Sequence, residues 1–421
     1  MSFELPLSSF GYVDSADLRT AGREMLSLSL MDARNHTLYL IGQYEQTLGI
    51  YGMRVPLIPE LNPPLWELGH VGWFQERWIS RNLQRERGPA CDPQATLLSS
   101  ILPGADLWWD STRVAHDNRW VLELPSLDEI RTYLLETLES TLELLVKAPD
   151  DDQALYFYRL ALFHEDMHSE AFIYMAQTLG LPLSMSLPPA VAARAPLPVP
   201  ACRWRLGRDG GEGFSFDNER PAHEVEVPGF EIDAQPVSWA QYAEFMADGG
   251  YERPELWHPE GWAWQQQREA AQGQAPRHVE RMGAASGGAE HPVLLRWMGG
   301  FYRVSGEQPA MHLSWWEADA WCRWAGRRLP SEVEWEVAAH TVARRGFRWG
   351  DVWEWTATPF AGYPGFSADP YRDYSEPWFG SHKVLRGASF ATRARLKSPK
   401  FRNYYLPERN DTFSGFRTCA V

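Results

Sequence analysis

The chain has 421 residues, enough for two domains, and 44% of them are hydrophobic, a share typical of globular proteins. Its 40 Lys and Arg residues against 55 Asp and Glu residues give a formal net charge of −15, which disfavours nonspecific binding to nucleic acid. No apolar run reaches membrane-spanning length, and the N-terminus lacks the features of a signal peptide. Four cysteines without CxxC spacing predict a reducing, cytoplasmic location and argue against a structural zinc site.

The first half of the chain is predicted to be helical. Helical periodicity of apolar residues runs through four segments, which are Leu18–Glu45, Pro63–Gln84, Leu127–Leu145 and Asp152–Leu179. Four long helices with inward-facing ligands are typical of a metal-bearing four-helix bundle. Between the second and third segments lies the polar and aromatic stretch Gly104–Arg119. Because long ordered loops in compact domains tend to be functional, we expect this stretch to line the metal pocket rather than only cover the surface.

The fourth helical segment carries the clearest functional signal. His164 and His168 are four residues apart, so a helix places both imidazoles on one face, where the pair can chelate a divalent transition metal. The alternative is an amphipathic helix whose two histidines are only hydrogen-bonded. His70, in the second segment, is a candidate third ligand.

Three histidine ligands on two helices would leave about half of an octahedral coordination shell open. That vacancy suits iron(II), which needs room for a substrate and dioxygen together. Glu170, two residues after the second histidine of the pair, is expected to accept a hydrogen bond that orients an imidazole, or else to be an ordinary solvated carboxylate.

A proline-rich stretch separates the two halves of the chain. Residues 186–200 contain five prolines and four alanines, a composition that predicts a semi-rigid linker. The sequence therefore predicts a helical domain over residues 1–185 and a second domain over residues 201–421.

The second domain is predicted to be irregular α+β with few regular elements. Short alternating strands are predicted at residues 223–228 and 230–233, and one clear helix at Ser314–Gly326. The segment Gln265–Gly288 is polar and rich in glycine and alanine, and we interpret it as an insertion.

Six phrases in this half resemble the formylglycine-generating enzyme, or sulfatase-modifying factor, family. They lie at residues 216–225, 309–318, 328–336, 350–356, 385–390 and 415–417. The active cysteine pair of the true formylglycine-generating enzymes is missing, since Cys322 and Cys419 stand outside the family's catalytic phrase. The resemblance therefore implies a C-type-lectin-like α+β scaffold for substrate binding rather than sulfatase maturation.

The first half resembles a DinB-like four-helix bundle. A DinB-like bundle joined to a sulfatase-modifying-factor-like domain is similar to the nonheme iron synthases that attach sulfur or selenium to hercynine, the trimethylated histidine. The ergothioneine and ovothiol sulfoxide synthases and selenoneine synthase share this architecture. The resemblance implies that His70, His164 and His168 bind Fe(II). It also implies that the small-molecule substrates are hercynine, O2 and a selenosugar or thiol donor.

The resemblance also implies roles for residues near the iron. Tyr404 stands where an aromatic ring of the family holds the trimethylammonium group by cation–π attraction, and Asn403 and Tyr405 flank it. The alternative is that the two tyrosines only pack at the rim. A family tyrosine gives a proton or electron during the reaction, and Tyr371 and Tyr374 are the candidates for that catalytic role.

Three departures from the ergothioneine synthases favour a selenosugar donor. They are Met167 where Gln is frequent, Tyr404–Tyr405 without a carboxylate, and the phrase Asn62–His70, which has Glu where a His is usual. A neutral sugar needs fewer cationic clamps than γ-glutamylcysteine, although Arg113 and Arg119 are candidates to bind such a donor. The alternatives are an ergothioneine-type sulfoxide synthase that uses cysteine or γ-glutamylcysteine, a DinB-like zinc thiol transferase, and a noncatalytic ligand-binding protein.

Overall fold

The computed structural model describes residues 12–211, 213–272, 274–282 and 293–421. The helices of the first half are α1 (Arg23–Leu48), α2 (Pro64–Trp78), α3 (Ala105–Trp109), α4 (Leu127–Lys147) and α5 (Tyr156–Leu179). The helices of the second half are α6 (Trp239–Ala247), α7 (Pro259–Gln272), α8 (Trp315–Trp324) and α9 (Glu332–Thr341). Across the described ranges, no helix is both long and apolar enough to cross a membrane.

Four long helices form the first half. Helix α5 packs against α1 and α2, and α4 packs on the other side of α1 and α2. The side chains of α5 from Tyr156 to Asp166 are all buried, which is typical of a helix surrounded by neighbours. A capping box between Ser126 and Glu129 starts α4, and Gly180, with φ of 69°, ends α5 in the left-handed conformation that glycine adopts without strain.

The four predicted helical segments match these helices, with differences at the ends. Helix α1 begins at Arg23 rather than Leu18, because Gly22 is extended with ψ of 178° and separates a short 3₁₀ turn from the helix. Helix α2 ends at Trp78 rather than Gln84. Beyond it the chain turns, and Oδ1 of Asn82 accepts a hydrogen bond from the backbone amide of Gln84. Periodicity alone does not register such local turns.

The strands all lie in the second half or at its start. They are β1 (Leu197–Val199), β2 (Cys202–Leu206), β3 (His223–Val227), β4 (Phe230–Ile232), β5 (Val279–Met282), β6 (Val293–Trp297), β7 (Gly300–Val304), β8 (Arg327–Arg328), β9 (Trp353–Pro359), β10 (Lys383–Gly387), β11 (Asn403–Tyr405), β12 (Ser414–Phe416) and β13 (Cys419–Ala420). The predicted strands at 223–228 and 230–233 correspond to β3 and β4. Strand β1 lies within the predicted linker, residues 186–200, at the edge of its sheet.

Within the described part of the chain, the strands form four small sheets rather than one large one. Their orders are β1-β4-β13-β8, β11-β10-β9-β12, β2-β3 and β5-β6-β7. In the second of these, β10 pairs antiparallel with both β9 and β11, and β12 runs parallel to β9. Leu385 on β10 therefore stands between Trp355 on β9 and Asn403 on β11.

The sequence missed three helices of the second half, α6, α7 and α9, and predicted a single clear one. That helix is α8, capped by Ser314 and Glu317, but α6 and α9 begin with capping boxes of the same kind. The predicted insertion, Gln265–Gly288, begins inside α7 and contains β5. Its residues 273 and 283–288 lie outside the described part of the chain.

Two buried polar clusters join the halves through α5. The Arg395 guanidinium donates to both carboxylate oxygens of Asp166 at 2.7 Å, and neither side chain is more than 1% exposed. One turn further along, Glu170 accepts hydrogen bonds from Trp353, Ser389 and Thr392 at 2.6 to 2.8 Å. Removing one partner of such a buried pair costs several kcal/mol, so these contacts fix the two halves relative to each other.

Candidate metal centre

Two helices bring three histidines together. His164 and His168 lie four residues apart on α5, and His70 lies on α2 beside them. One ring nitrogen from each of the three lies within 4.8 Å of the others, and the Nε2 atoms of His164 and His168 are 3.1 Å apart. Within the described ranges, no other group of three His, Cys, Asp or Glu side chains converges in this way.

The buried rings of this cluster are neutral. Burial lowers the pKa of His70 to about 3 and holds the pKa of His164 well below its usual value. The charge on a protonated His168 would lower both further. Neutral imidazole is the form that binds a transition metal, so these two rings are ready to coordinate one at neutral pH.

Outer hydrogen bonds orient two of the rings. Nδ1 of His70 lies 2.8 Å from the carbonyl oxygen of Trp109, and Nδ1 of His168 lies 2.6 Å from Oε1 of Glu67. Both oxygens accept, so Nδ1 carries the proton in each ring and Nε2 keeps its lone pair for a metal. Nδ1 of His164 is buried without a hydrogen-bond partner. With the Nε2 atoms of His70 and His168 aimed in this way beside His164, the cluster fits a divalent transition metal.

Aromatic side chains stack on the faces of two of the imidazole rings. The ring of Phe74 lies parallel to the ring of His164 with centroids 3.6 Å apart, and the ring of Trp66 stacks on His70 at 4.9 Å. Flat contacts of this kind limit rotation of the imidazoles. The cluster is therefore fixed by its surroundings.

A cavity of about 270 Å³ opens beside the cluster where the two halves meet. Its walls include His164, His168 and Met167 from α5, and Asn403, Tyr404 and Tyr405 from β11. Tyr174, Trp353, Tyr371, Tyr374 and Phe401 complete a largely aromatic lining. A concave site at a junction between domains, with few polar groups on an apolar wall, is typical of small-molecule binding.

Comparison with known proteins assigns the chain to a family. Residues 195–351 and 347–420 match the sulfatase-modifying factor enzyme 1-like domain. A hercynine oxygenase of Mycolicibacterium smegmatis is 31% identical over 94% of this chain and 98% of its own length, and one of Mycobacterium tuberculosis is 31% identical with the same coverage. The chain belongs to the hercynine oxygenase family. A formylglycine-generating enzyme of Streptomyces coelicolor is 30% identical over 54% of this chain.

Arg113 and Arg119, which were predicted to bind substrate in this hercynine oxygenase family member, do not line the cavity. The Arg113 side chain is 69% exposed and pairs with Asp110 at 3.4 Å. Arg119 donates to Oδ1 of Asn62 at 2.7 Å and stacks over the Trp66 ring at 3.7 Å. The predicted pocket-lining stretch 104–119 instead contributes the Trp109 carbonyl that holds a histidine.

The expectation that Glu170 orients an imidazole is wrong. Glu170 lines the cavity, but its carboxylate is engaged by Trp353, Ser389 and Thr392. The imidazole of His168 instead hydrogen-bonds to Glu67 of α2. Burial raises the pKa of Glu67, but His168, through its charge and its hydrogen bond, brings that pKa below its ordinary value.

The two candidate catalytic tyrosines both line the cavity. The ring of Tyr371 meets the edge of His164 with centroids 6.3 Å apart, and the hydroxyl of Tyr374 lies 3.9 Å from Sδ of Met167. Burial raises the pKa of both phenols above the usual value. Both are therefore protonated at neutral pH.

The β11 tyrosines are held firmly at the cavity wall. The Tyr404 ring stacks on Phe360 with centroids 4.0 Å apart and planes 9° apart, and its hydroxyl donates to the carbonyl oxygen of Tyr374. The Arg409 guanidinium lies 4.8 Å above the Tyr405 ring. A ring fixed in this way can present its face to a ligand at little entropic cost.

Three site residues were missed from the sequence. Glu67 precedes His70 by three residues on a helix, a spacing that places both side chains on neighbouring positions of one face. Tyr174 lies on α5 seven residues after Met167, a helical spacing that places both on one face, whereas Trp353 comes from β9 and no local pattern connects it to the histidines.

Proposed function

We propose that this family member is an Fe(II)- and O2-dependent enzyme that joins a sulfur or selenium donor to the imidazole of hercynine. The convergence of His70, His164 and His168 beside an aromatic cavity carries the proposal. The names of the relatives, hercynine oxygenases that match 94% of this chain, support hercynine as the substrate. In this proposal the four helices of the first half are a DinB-like bundle.

The three histidines are the proposed ligands of the iron. Bound there, iron(II) would supply coordination positions for the donor and for dioxygen and would activate the oxygen. Glu67 and Trp109 hold two of the imidazoles in their ligating orientation through hydrogen bonds to Nδ1. The chain therefore provides both the ligands and the groups that aim them.

The aromatic cavity would hold the trimethylammonium group of hercynine. Each aromatic face near a cation contributes about 0.5–2 kcal/mol by cation–π attraction. Tyr404, fixed on Phe360, is the proposed principal face, with Trp353 and Tyr374 as further walls. Asn403 brings a hydrogen-bonding amide to the same cavity. Tyr371 and Tyr374 are the proposed sources of the proton because both line the cavity, the first beside His164 and the second beside Met167.

We also propose a selenosugar as the donor. Arg113 and Arg119 stand outside the cavity, so neither provides a clamp there for the two carboxylates of γ-glutamylcysteine. Met167 and Tyr405, at two positions where this chain departs from the ergothioneine synthases, add neither a cation nor a carboxylate to the wall. An ergothioneine-type sulfoxide synthase that uses cysteine or γ-glutamylcysteine is the alternative.

A donor competition assay tests the proposal. The protein is loaded with iron without oxygen, and hercynine is offered with a selenosugar, its thiosugar counterpart, cysteine and γ-glutamylcysteine. Oxygen is then admitted and the products are read by mass spectrometry. A hercynine–selenium adduct from the selenosugar supports the proposal, and a sulfoxide from cysteine or γ-glutamylcysteine alone moves the protein to the ergothioneine branch.

Two variants separate catalysis from simple ligand binding. His168→Ala is expected to lose stoichiometric iron and all O2-dependent turnover, while His340→Ala, on α9 and remote from the cluster, keeps both. Turnover that needs no oxygen would instead favour a thiol transferase. Adduct formation by His168→Ala at the wild-type rate would contradict the proposed metal centre.

A further inference from the structure

A second cavity adjoins the first. It has a volume of about 590 Å³ and shares Tyr404 and Tyr405 with the cavity at the histidine cluster. Pro59 and Glu60, from the loop before α2, line it together with residues 406 and 408–411. The volume falls in the range of about 300–1,000 Å³ typical of small-molecule sites. One ligand could therefore extend from this cavity past the two tyrosines to the histidines.

The arginines that line the second cavity are already paired. Arg277 donates to Glu60 at 2.7 Å, and Arg409 donates to both oxygens of Asp411 at 2.9 and 2.6 Å. Arg268 donates to Glu317, a buried carboxylate of α8, at 3.0 Å.

The formal charges of the lining cancel. Three arginines face the three carboxylates of Glu60, Glu408 and Asp411. His382 stays neutral at neutral pH, because burial and the nearby Arg409 lower its pKa to about 4. A ligand with two carboxylates would have to break an existing ion pair to find a cation, whereas a neutral ligand would leave every pair intact.

Polar atoms of this lining still have hydrogen-bonding capacity. Asn410 is 5% exposed, and its Nδ2 has no hydrogen-bond partner in the structure. Nε of Arg268 is likewise buried without a partner. A buried donor without an acceptor is costly, so a ligand hydroxyl group that reached either atom would be stabilised.

Aromatic side chains provide the apolar surface of the site. Trp378 lines the cavity and is 42% exposed, and Trp264 stands on another part of the wall. The carbon–hydrogen face of a sugar ring packs well on such a flat apolar surface, while its hydroxyl groups reach the polar atoms around it. Flat aromatic walls, paired charges and unpartnered donors together describe a site for a neutral polyol.

We propose that the second cavity binds the sugar ring of the donor and that Tyr404 and Tyr405 form the passage to the histidine cluster. This inference rests on the proposed function and deepens it, because it gives the donor class a binding site of its own. The prediction is that affinity for the donor depends on the second cavity and affinity for hercynine on the first.

Ligand binding without turnover tests the inference. The full chain is titrated with methyl β-D-glucopyranoside and with 1-thio-β-D-glucose by saturation-transfer NMR, with neither hercynine nor oxygen added. Trp378→Ala is expected to weaken binding of both about tenfold through loss of the stacking surface. Phe301→Ala removes another exposed aromatic ring, on β7, and is expected to leave binding unchanged.

A charge variant tests whether the paired arginines exclude a donor that carries two carboxylates. Glu60→Gln releases Arg277 and is expected to raise the affinity for γ-glutamylcysteine about tenfold. The matched control is Glu226→Gln, which breaks the pair with Arg203, also 2.7 Å long, on the surface strands β2 and β3.

The outcomes separate this inference from the proposed function. Sugar binding that weakens in Trp378→Ala supports the second cavity as a sugar site, whether or not an adduct forms in the donor assay. Sugar binding that is absent or insensitive to Trp378→Ala overturns the inference, and a sulfoxide from γ-glutamylcysteine would still uphold hercynine chemistry. Wild-type protein that binds γ-glutamylcysteine more tightly than the sugars, with no gain in Glu60→Gln, overturns it as well.

Discussion

Replacing Glu67 with Gln tests the hydrogen bonds behind the candidate metal centre. Arg119 can only donate, so Oδ1 of Asn62 must accept from it at 2.7 Å. Nδ2 of Asn62 then donates to Oε2 of Glu67 at 2.8 Å, and Oε1 of Glu67 accepts from Nδ1 of His168 at 2.6 Å. The direction of every bond in this chain is therefore fixed, and Glu67 must accept at both oxygens.

A glutamine can satisfy only one of these two donors. Its single side-chain oxygen accepts from His168 or from Asn62, and its NH₂ group then faces the other donor. The lost charge-assisted hydrogen bond is worth about 1.5–3 kcal/mol. Loss of such an outer carboxylate typically lowers metal affinity about 10–100-fold. We therefore expect the Kd for iron(II) to rise about 10–100-fold in Glu67→Gln, which corresponds to about 1.4–2.7 kcal/mol.

Anaerobic competition with a chromogenic iron(II) chelator measures this Kd. Cobalt(II) absorption reports separately whether the coordination geometry changes. The control is Glu170→Gln, a second buried carboxylate, which is hydrogen-bonded to the other half of the protein rather than to a histidine. Its Kd is expected to stay within about twofold of the wild-type value. An unchanged Kd in Glu67→Gln, or an equal loss in Glu170→Gln, would refute the reasoning.

Three further changes test packing, the junction and pH dependence. Gly69→Ala is expected to cost about 1–3 kcal/mol in urea denaturation and to weaken metal binding, because its Cβ would lie 2.0 Å from the Trp109 ring, whose backbone carbonyl orients a candidate ligand. Arg395→Ala is expected to lower the free energy of unfolding by about 3–5 kcal/mol, since Asp166 remains buried without its partner. Burial raises the pKa of Asp217 from its ordinary 3.8 to about 6, so stability from the protonated carboxyl is complete below about pH 4 and is lost as pH rises through about 6. Wild-type protein should therefore lose up to about 3 kcal/mol relative to Asp217→Asn between pH 4 and 7.5, measured by urea denaturation at both values.

Each of these variants has a matched control. Gly42→Ala, on α1, meets nothing within 4 Å and is expected to be neutral or to stabilise by up to about 1 kcal/mol. Arg393→Ala removes a more exposed arginine of the same junction, and the loss is expected to be smaller than for Arg395. Asp209→Asn changes an exposed carboxylate and is expected to show no loss near pH 6. Equal effects in a variant and its control would contradict the corresponding explanation.

The sequence predicted what depends on local spacing. Helical periodicity located all four long helices of the first half, and the i, i+4 spacing of His164 and His168 placed both on one face of α5. The short helices α6 and α9 were missed because a nine- or ten-residue helix gives little periodic signal. Their capping boxes, Ser238 with Gln241 and Ser331 with Glu334, were the available signal.

Contacts between distant segments could not be predicted in this way. Glu170 follows His168 by two residues, a spacing that turns the side chains about 200° apart on a helix, so its carboxylate meets the second half instead of an imidazole. Arg113 and Arg119 were expected at the substrate because of their charge, but charge does not determine direction, and the first of them is exposed. Trp353 reaches the cavity only because β9 packs against the first half.

The two junction contacts of α5 have a consequence for the order of assembly in the cell. His164 and His168 alternate along this helix with Asp166 and Glu170, whose partners lie at residues 353 and 389–395. A chain is synthesised from its N-terminus, so the histidine helix is complete long before these partners leave the ribosome. Until then Asp166 and Glu170 lack the hydrogen-bond donors that pair with them in the folded protein. The contacts that join the two halves are thus made only near the end of translation, after the histidine helix itself has been synthesised.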